Sequence, residues 1–321
     1  MTQLQSPPYS QMSGRVSWKP ASGLTDHRGQ PLPADADFFV APPAEIGEVK
    51  SAYSSLRVHK EALALPVRAV LILLCVLPGA AAMAYWGETM HHDEVFSALM
   101  IIGALIVLFS FLIAWNLTGF RHACSYAGVL GVARDRTGGS RQAPVKEDGL
   151  RFGAAAELRT AQIRHYNHRI YTGTTYSFSW SNANGQKVFQ LKGTHYSSKD
   201  TPRSPANAFY FARAAEDAWS KYLLDQAQAQ LKQSGFIHFN IKPGQYVRVG
   251  PGWLEFRLKN DVARIAKEDI KTCTLAFGTF HIAHRDAGWF SRQGKFSFNY
   301  SSMANARVFL LALDKLVGLR F

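Results

Sequence analysis

Two uncharged apolar runs dominate the hydropathy pattern: AVLILLCVLPGAAAMAYW over residues 69–86 and VFSALMIIGALIVLFSFLIAWNL over residues 95–117. A hydrocarbon core about 30 Å thick takes roughly 20 helical residues, so the pattern predicts a transmembrane hairpin within residues 66–120. Pro78 and Gly79 would kink the first span, which a membrane helix tolerates. Arg57, Lys60 and Arg68 precede the pair, and Arg121, Arg134 and Arg136 follow it, whereas the connector GETMHHDE has no Lys or Arg. The positive-inside rule then puts both termini in the cytoplasm, and the expected location is the cytoplasmic (inner) membrane, as a multi-pass protein.

Beyond residue 120 the period changes. FIHFNI, QYVRVG, GWLEFRL, VARIA, TCTLAF, TFHIAH and KFSFNYS are short strand-like segments divided by KPG, KND, RDAG and RQG turns. The segments CSYAGVLGVAR, GLRF, ELRTAQIRHY, TYSFSWS and KVFQLKG are fewer and less regular, with NANG as a hairpin turn. Each series ends in a helix with an apolar stripe at positions 0, +3, +4, +7 and +8. Phe211, Ala214, Ala215, Ala218 and Trp219 form the first stripe, and Phe309, Ala312, Leu313, Leu316 and Val317 the second. The phrases ANAFYF (206–211) and ANARVF (304–309) open the two helices. A tandem repeat follows, with modules at 121–233 and 234–321 and with Phe211, Trp219, Phe309 and Leu313 as the anchors of their closing helices.

Strands followed by one amphipathic C-terminal helix, above all in KFSFNYSSMANARVFLLALDKL, resemble the pleckstrin-homology-like (PH-like) domain. With two spans in front, residues 66–321 resemble the bacterial membrane proteins that carry tandem PH-like modules. The resemblance implies a membrane α-hairpin plus α+β modules, two partly open β-barrels each closed by a helix. It also implies binding of proteins, peptides or lipid headgroups without catalysis. The first copy departs from the pattern by its longer loops and missing strands.

Seven of the 14 prolines lie within the first 43 residues, so residues 1–43 read as a disordered arm. Residues 44–65 read as a juxtamembrane helix ending before Pro66. Three cysteines without a shared spacing exclude a disulfide framework and give no metal motif.

The formal charge of +13 is almost wholly C-terminal, because residues 121–321 carry 29 Lys+Arg against 14 Asp+Glu. Arg151, Arg159, Arg164, Arg169, Lys187 and Lys192 fall among the strands of the first module, interleaved with aromatic residues. These six are the candidate lipid or partner-binding residues, since a cation near an anionic leaflet gains about 1 kcal/mol. Single-stranded nucleic acid also favours such interleaving, but no nucleic-acid motif is present. His91, His92, Asp93 and Glu94 suggest a metal cluster without fixing one.

The chain has no phosphate-binding Gly-rich loop, no HExxH and no Gly-x-Ser-x-Gly elbow. The expectation is therefore a non-catalytic adaptor, with no cofactor or metal, that presents a surface to an unidentified protein partner. Anionic-lipid headgroup sensing is the first alternative, and an enzyme or transport accessory subunit the second. Self-association into a homo-oligomer is a further expectation.

Overall fold

The computed structural model describes residues 17–33, 35–56, 65–89, 101–112, 122–137, 145–196, 208–258, 262–288 and 294–320. Its strands form four separate antiparallel sheets in which neighbours in sequence are neighbours in space. The first holds β1 (Val49–Ser54), β2 (His122–Gly128), β3 (Gly131–Thr137) and β4 (Val145–Arg151). The second holds β5 (Glu157–Asn167), β6 (Ile170–Ser181) and β7 (Lys187–His195), and is followed by α3 (Ala208–Ser234). The same order then returns. A sheet of β8 (Ile237–Lys242), β9 (Gln245–Gly250), β10 (Trp253–Arg257) and β11 (Val262–Ala266) precedes one of β12 (Ile270–Ala276), β13 (Thr279–His284) and β14 (Lys295–Asn299). Helix α4 (Ala306–Ala312) follows and runs into a π-helical turn, Leu313–Val317.

Each helix buries the stripe its sequence announces. Phe211, Ala215 and Trp219 of α3 pack with Val132, Leu150, Phe178 and Trp180. Phe309, Leu313 and Val317 pack with Val247, Phe256, Phe280 and Phe298. All four expected anchors are buried. Full burial of such side chains contributes about 1.5–3 kcal/mol each.

The two units are fastened by Asn305, the second residue of the repeated phrase that opens α4. Its Oδ1 accepts from the Leu158 N–H and from Trp219 Nε1, both at 2.9 Å. Its own N–H donates to the Leu158 carbonyl at 2.7 Å. Asn305 stands in the left-handed region at φ 54°, ψ 40°, which asparagine tolerates better than most residues.

Several expectations are overturned. Among the described residues no helix is long and apolar enough to cross a membrane, and the strands form four sheets with no closed barrel. The two-span membrane protein with tandem PH-like barrels, its membrane and transmembrane labels and its multi-pass inner-membrane location therefore fall. The reason is length. Helix α1 (Leu65–Thr89) contains Pro78, and its uncharged run over 69–86 rises about 27 Å at 1.5 Å per residue, short of the roughly 30 Å core. In the second run the described residues 101–112 are helical and form α2. The two helices touch, since a Cβ on Gly79 would lie 2.8 Å from Val107 Cγ2.

The expected helix over 44–65 is replaced, at 49–54, by strand β1. That strand supplies the first module with the edge it lacked, so the helical stretch is an insertion between β1 and β2. Residues 17–33 and 35–43 of the expected disordered arm are described, and they cover the outer face of the first sheet. Phe38, Phe39, Val40 and Ile46 are buried there with Cys124, Tyr126 and Ala133. Trp18 meets Phe38 and Tyr126 edge to face, at 5.0 and 5.7 Å. The segment is proline-rich yet carries enough aromatic surface to bury, so prolines here fix turns and do not signal disorder.

Candidate functional site

Strand register sorts the six basic candidates. Residues paired across antiparallel strands share a face. Leu158, Thr160 and Arg164 oppose Trp180, Phe178 and Thr174, which places Arg164 on the core face but at its exposed end. Lys192 and Lys187 oppose Ser177 and Ser181 on the other face, with Arg159. Arg169 occupies the β5–β6 turn at φ 66°, next to His168 at φ 47°. Arg151 pairs with Glu45 at 2.9 Å.

Arg159 does another job. Its guanidinium donates to the Ile241 carbonyl at 2.6 Å and to the Ser302 carbonyl, and it pairs with Glu157 at 3.0 Å. It is a clasp between the two units. The six residues therefore do not make one patch. The structure brings Arg164 and Arg169 together on one arm, with Lys192 near its root.

That arm is the β5–β6 hairpin. Strand β7 pairs with β6 only from Thr174 onward, so the hairpin beyond it extends with only its own two strands paired. Residues 162–170 are all exposed, including Ile163 (60%), Tyr166 (58%) and Ile170 (70%). Between Glu157 and Asp200 the sequence holds six Lys+Arg and no carboxylate. Exposed Ile163, Tyr166 and Ile170 standing among Arg164 and Arg169 have the composition of a binding surface.

A second feature is a cleft of about 930 Å³ between the N-terminal segment, the β2–β3 turn and α3. Its wall includes Arg28, Lys50, Arg213, Lys221 and Arg307 against Asp26, Asp217 and Asp225. Its floor is apolar, with Ala127, Val129, Leu130, Ala214 and Ala218, and Tyr210 and Tyr222 flank it.

Two of the three carboxylates are engaged. Asp26 Oδ1 accepts the N–H groups of Arg28 and Gln30, at 2.8 and 3.0 Å. Asp217 takes Arg307 at 2.6 Å and Lys221 at 2.8 Å. Arg28 lies over the Tyr210 ring, 4.7 Å from its centre.

His27 fixes the strap that carries Arg28. One ring nitrogen bonds Ser51 Oγ at 2.8 Å and the other Ser125 Oγ at 2.9 Å, and the ring packs on Phe211 at 5.1 Å. Burial lowers its pKa to about 3, partly opposed by the Ser125 backbone, so the ring is neutral at physiological pH. A serine beside a histidine invites a catalytic reading, but both nitrogens are already engaged by hydroxyls and both serines are buried. The contacts are those of a staple.

Burial also pushes the Cys124 thiol up to about 12 and the Cys273 thiol to about 11, which suppresses the reactive thiolate. Among the described residues no group of three His, Cys, Asp or Glu could hold a metal ion. His91, His92, Asp93 and Glu94 lie outside the described residues.

The cleft was not singled out from sequence. Part of its signal is nonetheless there, because Arg213, Asp217, Lys221 and Asp225 recur every four residues along one face of α3. Arg28, Lys50 and Arg307 reach it only through the fold. Neither a known protein-family pattern nor a curated protein matches the chain.

Proposed function

We propose that the chain is a non-catalytic adaptor whose β5–β6 arm grips an acidic surface on a protein partner. The observation that carries this is the arm itself: Arg164 and Arg169 flank exposed Ile163, Tyr166 and Ile170 on a projecting hairpin, in a stretch without any carboxylate. Basic residues steer an acidic partner into register, and the aromatic and aliphatic tip supplies the anchors that dominate binding energy.

The aliphatic residues at the tip support a second reading, in which the arm rests on anionic lipid headgroups. There each arginine contributes about 1 kcal/mol.

The test compares the full chain with R164E/R169E and I163S/I170S. Both double variants are expected to retain the wild-type urea midpoint while losing about tenfold or more in capture of the partner recovered with the wild-type chain. Flotation with anionic and neutral vesicles separates the readings: arm-dependent binding to anionic vesicles with no arm-dependent protein favours lipid. Partner and vesicle binding both unchanged in R164E/R169E would remove the arm from the function.

A further inference from the structure

We infer that the cleft between the N-terminal strap and α3 binds a small phosphate-bearing molecule with an apolar or aromatic body. The site is separate from the arm. Five Lys+Arg face three Asp in its wall, and Glu48 pairs with Lys50 at 2.6 Å, which leaves the cleft with a net positive charge that favours an anionic phosphate. Asp26 turns its Oδ1 to backbone N–H groups, whereas Asp217 engages Arg307 and Lys221, so Arg28 and Arg213 are the cations on which an incoming anion depends.

Arginine is the side chain suited to this task, because its planar fork meets two phosphate oxygens at once. Arg28 is already stacked on Tyr210, and Arg213 stands one helical turn before Asp217 on α3. The volume of about 930 Å³ is far more than a bare phosphate fills and lies within the range of organic ligand sites. The body of the ligand then lies on the apolar floor of Val129, Leu130, Ala214 and Ala218, beside the Tyr210 and Tyr222 rings.

The site is also built to persist. His27 ties the strap to both Ser51 and Ser125, and the Ala52 N–H donates to the Thr25 carbonyl at 3.0 Å. Arg28 is thereby held near the cleft before a ligand arrives, which lowers the ordering cost of binding.

The experiment is calorimetric titration of the full chain with ADP, pyrophosphate and adenosine, and separately with vesicles containing phosphatidic acid. Saturable ADP binding is expected, with pyrophosphate competing and adenosine alone not binding. R213E/K50E should weaken it by at least about tenfold, since charge-assisted bonds are lost. K315E, in the π-helical turn and outside the cleft lining, and the arm variant R164E/R169E should leave it unchanged. The vesicle arm distinguishes a lipid headgroup from a free phosphate: binding to vesicles alone, lost in R213E/K50E, assigns the phosphate to a headgroup. R213Q/K50Q serves if charge reversal lowers the urea midpoint. Absence of saturable binding to every phosphate probe, adenosine binding as tightly as ADP, or unchanged binding in a folded R213E/K50E or R213Q/K50Q would overturn the inference.

Discussion

Asn305 concentrates the coupling of two units in one side chain. It satisfies the indole N–H of Trp219, a backbone N–H and a carbonyl of β5, from a left-handed backbone conformation. Alanine at this position loses the side-chain acceptor and pays the left-handed penalty, so N305A is expected to cost about 2–4 kcal/mol, read as a lowered urea midpoint. N305G keeps the backbone freedom and should cost less, which isolates the hydrogen bonds. His27 makes a pH prediction. Its folded pKa of about 3 lies below the ordinary 6.5, so the unfolded chain takes up the proton first. This contribution is fully present above pH 6.5 and drains as pH falls toward 3, by up to about 1.4 kcal/mol per pH unit. Thermal melts at stepped pH should show that slope, and H27Q, which keeps an amide between the two serines, should flatten it.

At the scale of elements, α3 shows why some of the fold was legible and some was not. Its core face follows from the spacing of Phe211, Ala215 and Trp219, a local periodicity that survives any context. Its later residues Leu223, Ala227 and Leu231 pack against the second core, an assignment that needs both units to be in place. Arg159 taught the same lesson in reverse. In sequence it is one more basic residue beside aromatics, but in the fold its guanidinium is occupied by carbonyls contributed from residues 241 and 302. Arg164 and Arg169 stand out in the sequence by charge, whereas their place on a hairpin beyond the third strand follows from the short reach of β7. Strand β1 was missed because VKSAYS lies far in sequence from its partner and carries little pattern by itself.

Among the described residues the order of four strands, three strands and a helix occurs twice. The apolar runs were a different matter. Their hydropathy is plain, but the helices described there fall short of a crossing, and Val70, Leu73, Leu74, Ile101, Ile106 and Phe109 remain exposed. Large apolar surfaces of this kind mark sites of interaction. The place where they enter the scaffold has a consequence for how the chain can be rearranged. Ser55 and Ala123 are 68 positions apart, yet the Ser55 N–H donates to the Ala123 carbonyl at 3.0 Å and the Ala123 N–H returns a bond to Ser55 Oγ at 2.9 Å. The ends of β1 and β2 on either side of the stretch are thus joined at a single doorway. Excising residues 57–121 and splicing in a short turn is expected to keep the unfolding free energy from urea titration within about 1 kcal/mol of wild type, because shortening the loop lowers its closure cost. The stretch thus behaves as a detachable cassette, and the doorway is a port where a different appendage could be grafted without disturbing the sheets around it.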